Sequence, residues 1–170
     1  VAGISLARLD RIEPATRYLD EAMRCDPERP EAHLGMGLLQ QASKDRHAAL
    51  RQLETACRLS PESWEPHYLL ARALWERAQE LGGPEAPLTA RRLVERSQYH
   101  AIRALSLGGS SVEGPLLYQL AISCMHLNRF SEASKLFQRL LDHERYKTRA
   151  QYYLGLAFYQ LQKYKNAILY

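Results

Sequence analysis

Five positions of this sequence recur after an interval of 34 residues. Gly3, Ala15, Leu19, Ala22 and Pro27 are matched by Gly37, Ala49, Leu53, Ala56 and Pro61 at identical separations. A chain that repeats itself at this period is built from small supersecondary units, each too small to bury its own apolar face, so neighbouring units must stack. Later copies keep the rhythm: Ala121, Phe130, Ala133, Phe137 and Leu140 occupy corresponding places, and so do Gly155, Tyr164 and Ala167. The pairs Met36-Gly37, Leu70-Ala71, Leu120-Ala121 and Leu154-Gly155 each sit in an apolar run of helical spacing. A second such run follows each pair. Proline cannot continue a helix interior, so Pro27 and Pro61 mark the ends of second helices.

Small residues at Gly37, Ala49 and Ala56, and at Ala71, Ser97 and Ala104, are what two helices need in order to cross closely. Leu53, Phe137 and Phe158 supply the volume between them. This pattern resembles the tetratricopeptide repeat, a 34-residue helix–turn–helix unit with a Trp-x2-Leu-Gly-x2-Tyr, Ala-x3-Phe and Pro signature. The resemblance covers essentially the whole chain. It divides it into a partial unit at 1–29, full units at 30–63, 64–111 and 114–147, and a truncated unit at 148–170. His33 and His67 stand where the family has Trp, Gln40 replaces Tyr, and Leu140 replaces Ala. The resemblance implies an all-α, right-handed superhelical solenoid of about ten helices with a concave groove. Because the pattern starts and stops in mid-unit, the chain reads as a segment of a longer one.

The unit at 64–111 departs from the period. Ser97 arrives 14 residues late, and the break signal Leu81-Gly82-Gly83-Pro84-Glu85-Ala86-Pro87 falls in between. Leu74, Ala78 and Leu81 continue one stripe, and Ala90, Leu93 or Val94, Ser97 and Ala101 continue the other. The sequence therefore predicts two helices, each lengthened by about two turns and projecting from the array as an antiparallel hairpin. At the exit, Leu107-Gly108-Gly109-Ser110-Ser111 offers either a left-handed helix cap or a looser joint between the two halves.

Charge is uneven. Residues 1–85 hold 11 Lys+Arg against 14 Asp+Glu, and residues 86–170 hold 12 against 5. A basic half suits acidic partners or nucleic acid, but Arg91, Arg92, Arg96 and Arg103 recur at helical intervals among polar residues, as on a solvated face. No run of apolar residues is long enough to span a membrane, and the first ten residues lack the order of a signal peptide. The cytoplasm is the default compartment. Cys25, Cys57 and Cys124 are too few and too scattered for a disulfide framework or a zinc site, and each falls in an apolar stripe as a small hydrophobe.

No catalytic constellation emerges. The sequence has no glycine-rich phosphate loop, no His-Glu-x-x-His and no Cys-x-x-Cys. His33 and His67 occupy equivalent places and fit the bulky motif position better than a metal pair, while Cys124 and His126 lie on different helix faces. The expectation is a protein that is not an enzyme and takes no cofactor or metal. The family resemblance instead points to the first helix of each unit as the groove lining. On this chain it implies Leu34, Leu38 and Gln41; Glu65, Tyr68, Arg72 and Trp75; Tyr118, Ile122, Met125 and His126; and Arg149, Tyr152, Leu156, Tyr159 and Gln160. Tyrosine holds one position in three of these units, and the strip is largely apolar and aromatic, which suits recognition of a protein or peptide with apolar anchors. Only Arg72 fits a carboxylate-gripping role, which disfavours recognition of a C-terminal tail. The function read from the sequence is an interaction scaffold; a self-associating solenoid is the alternative, and an RNA-binding array ranks third.

Overall fold

The computed structural model describes residues 2–8, 12–82, 88–108 and 112–170. Within them the chain forms ten helices and no strand: α1 (Ala2–Arg8), α2 (Ile12–Cys25), α3 (Pro30–Ala42), α4 (Arg46–Leu59), α5 (Trp64–Glu80), α6 (Leu88–Ser106), α7 (Glu113–His126), α8 (Phe130–Leu140), α9 (Lys147–Gln160) and α10 (Tyr164–Ala167). Successive helices pair as hairpins, and the substantial packing joins helices next to each other or next but one along the chain. The core is correspondingly a string of layers. Leu19 and Leu39 centre one, Leu53, Leu70 and Leu74 a second, Leu116 and Leu120 a third, and Phe137, Leu140 and Leu154 a fourth.

Close helix crossing is set by the small residues. A methyl group built on Gly37 would stand 2.7 Å from Cγ of Leu53, a fully buried side chain, and one on Gly3 would stand 2.8 Å from Cγ of Leu19. Gly35, on the same helix as Gly37, is tighter still against Leu19. Gly155 holds the matching place in α9, yet its nearest neighbour is the Ala167 carbonyl oxygen at 3.5 Å, an ordinary contact. Tight turns link the hairpins, and Lys44, Asn128 and Gln162 take left-handed backbone there, as does Gly82 after the longer α5.

The lengthened pair is present with less helix than expected. α5 has 17 residues against 13 in α3, and α6 has 19 against 14 in α4, so the additions are about one turn and one and a half turns. Part of the insertion is spent on the connection, where Leu81 and Gly82 already form a turn. The end of α5 is not free: Arg46, at the start of α4, pairs with both Glu76 and Glu80. At the exit from α6, Gly108 is left-handed (φ 94°) and its N–H donates to the Leu105 carbonyl, which is the capping role; Gly109, Ser110 and Ser111 lie outside the described residues.

Ser97 is more than a small residue. Its hydroxyl donates to the Ala71 carbonyl at 2.8 Å, while the Gln119 amide donates to both that carbonyl and Ser97 Oγ. Gln98 similarly donates to Ser123 Oγ, so α5, α6 and α7 are joined by a buried polar network as well as by apolar contact. Cys25 corrects the sequence reading: it is exposed, because it is the last residue of α2 and lies past the packed stripe.

Gly37→Ala should destabilise the chain by about 1–3 kcal/mol, because Leu53 has no space into which to retreat. Gly155→Ala should be neutral or stabilising by up to about 1 kcal/mol, since alanine is the better helix former. Paired urea melts decide this, and equal costs at both sites would contradict the packing described.

Candidate interaction groove

The residues expected to line a groove lie on the first helices of the pairs, α3, α5, α7 and α9, and side-chain contacts join these helices. Arg72 on α5 donates to Gln41 on α3 at 3.2 Å. Trp75 on α5 meets His126 on α7 edge-on at 5.2 Å between ring centroids, and Arg149 on α9 lies over the Tyr118 ring of α7 at 5.9 Å. Burial lowers the His126 pKa, which favours the neutral ring.

Between α3 and α5 the strip deepens into a cavity of about 590 Å³. Leu38, Trp64, Tyr68 and Leu69 supply its apolar wall, and Gln41, Glu65, Arg72 and Glu76 its polar one. Arg72 also pairs with Glu76 at 3.6 Å. Gln41 Nε2 and Arg72 Nε are buried donors without a hydrogen-bond partner among the described residues.

The remaining positions divide. Leu34 does not face the groove: it is 4% exposed and packs with Leu53, Ala56 and Leu70 between layers, because the second helix of its own pair covers that side of α3. Ile122 and Met125 are half-buried against the core around Phe137. Tyr118 is held on several sides, by Phe137 and Tyr153 edge-on and by Tyr146 at 5.5 Å, and burial raises its hydroxyl pKa. Tyr152 and Tyr159, in contrast, are 62% and 60% exposed, with Leu156 between them on α9.

Sequence reasoning did not bring together one further group. Cys57, His67 and His100 have their ligand-type atoms within 4.8 Å of one another. Burial pushes the Cys57 thiol up to about 12, with Glu54 adding to the shift. It lowers the His67 pKa and takes that of His100 down to about 4, with the charge on His67 as the next cause for His100. A comparison of the units position by position could have found this cluster; a search for closely spaced ligands could not.

A tetratricopeptide-repeat family model matches residues 34–101 and 118–170, and the chain belongs to that family. Among solved structures, MamA (AMB-1) superposes with a TM-score of 0.79 at 15% identity, covering 98% of this chain and 82% of that one. YrrB, described as a tetratricopeptide-repeat protein with an unusual peptide-binding site, superposes with a TM-score of 0.76 at 18% identity, covering 98% and 80%. At these identities the likeness shows the fold. No curated protein matches the sequence significantly.

The two tyrosines of this shared register should separate in stability. Tyr118→Ala should cost more than about 1 kcal/mol, and Tyr152→Ala less than about 0.5 kcal/mol. Thermal melts of the two variants check this, and a Tyr152 cost equal to that of Tyr118 would place Tyr152 in the packing.

Proposed function

We propose that the chain is a scaffold that binds a peptide or helix of a partner protein along the strip formed by α3, α5, α7 and α9. The observation that carries this reading is the cavity between α3 and α5, where Leu38 and Tyr68 form an apolar wall beside Arg72. Apolar lining with a few convergent polar groups is the usual composition of a recognition site. Tyr152, Leu156 and Tyr159 extend the surface along α9 with aromatic area that costs little rotamer entropy to order. Arg72 is already engaged by Gln41 and Glu76, which argues against a carboxylate clamp and for apolar anchors.

A self-associating solenoid is the second reading, with the open aromatic face of α9, where Tyr152 and Tyr159 are exposed, as the surface a second copy would cover. Aromatic residues this open commonly meet another surface.

Selection of peptides from a random display library on the chain, followed by titration of the winners, tests the first reading. The expected result is a family of sequences with spaced apolar anchors, bound at least about tenfold more weakly by Tyr68→Ala and Tyr152→Ala. Selected peptides that bind both variants as well as the parent would overturn the groove assignment. A mass that rises with concentration in sedimentation, and falls back in Tyr159→Ser, would favour self-association instead.

A further inference from the structure

We infer that Cys57, His67 and His100 form a binding site for a zinc-class metal ion that joins α4, α5 and α6. The three ligand atoms, one thiol sulfur and two imidazole nitrogens, lie within 4.8 Å of each other. Zn–N bonds of about 2.0–2.1 Å and a Zn–S bond of about 2.3 Å set tetrahedral ligand atoms about 3.4–3.6 Å apart, so the thiol closes in by up to about 1.2 Å when the ion binds. One thiolate with two imidazoles selects zinc-like ions over calcium or magnesium, which take oxygen ligands.

His67 is already oriented as a ligand. Its Nε2 donates to the Pro61 carbonyl at 3.2 Å, which leaves Nδ1 as the lone-pair nitrogen. That Nδ1 stands 2.8 Å from His100 Nδ1, so the two nitrogens share a proton in a hydrogen bond. The ion replaces this proton. The His100 ring then carries its hydrogen on Nε2, Cys57 releases its thiol proton to solvent, and the two nitrogens move apart by about half an ångström to tetrahedral spacing. His100 is half-buried, which gives the ion a path in and leaves a fourth position for water. The nearby carboxylates and guanidinium groups pair off, Arg96 with Glu54 and Arg103 with Glu62, so neither sign dominates the approach.

The repeat itself supplies the control. One layer earlier, the corresponding positions are Met23, His33 and Gln52, and His33 is wired in the same way, with one ring nitrogen on the Pro27 carbonyl and the other on Gln52. One layer later they are Leu105, Leu117 and Leu136, packed in one apolar cluster. The fold is thus satisfied at this place by a His–Gln hydrogen bond or by three leucines. Only the middle layer converts Met to Cys and Gln to His, and so assembles three ligands. This inference is independent of the groove.

The test is equilibrium dialysis of the reduced chain with Zn²⁺, and titration with Co²⁺ followed by the thiolate-to-cobalt charge-transfer absorption. One equivalent of zinc and a thiolate band are expected, with Cys25→Ser unchanged. Cys57→Ser and His100→Gln should each weaken binding by at least about tenfold. His100→Gln recreates the His33–Gln52 pair of the preceding layer, so its fold, checked by circular dichroism, should survive and it decides the matter even if Cys57→Ser does not fold. No zinc binding by the parent chain, or binding undiminished in His100→Gln, would overturn the site.

Discussion

How closely two helices approach is limited by the side chain that stands where they cross. At Gly3 and Gly37 that side chain is absent, and a leucine of the partner helix, Leu19 or Leu53, fills the space to within 3 Å of where a methyl group would be. Hairpins held this tightly present one apolar face to the hairpin before and another to the hairpin after. Stacking then follows from burial, and it directs the first helices to a common side. The strip of tyrosines and leucines exists because the opposite side of each of those helices is committed to packing.

The number and pairing of helices were legible because small residues and prolines recur at fixed intervals, and each interval has a steric cause. The lengthened pair was legible as an event but not in its extent, since sequence does not say how much of Leu81–Pro87 is turn and how much helix. Leu34 was misplaced for a related reason: it sits at the border between the groove strip and the stripe that packs between layers, and which side wins depends on where α4 lies. Ser97 scored as small when its hydroxyl also ties α6 to α5. The Cys57, His67 and His100 group was hidden because its members are spread over 44 positions of sequence, and because the insertion within 64–111 displaces His100 from the 34-residue register.

Equivalent positions need not have equivalent roles. Tyr118 and Tyr152 share a register, but the segment between α8 and α9 carries Tyr146 back onto Tyr118, with Arg149 above the ring. Tyr118 is thereby absorbed into the joint between helix pairs, whereas Tyr152 keeps most of its surface open. The surface of the first helices is therefore uneven, with residues that hold the scaffold together alternating with residues left open. The cavity between α3 and α5 and the aromatic face of α9 are the open parts.

The packing of each helix on near neighbours alone has a mechanical side. A tension applied to the two ends of the chain has no route that bypasses a layer, so the layers bear it in series, like links rather than like parallel cables. Each joint adds its own small opening to the total extension, and the array is as compliant as the sum of its joints. Its breaking load is that of one.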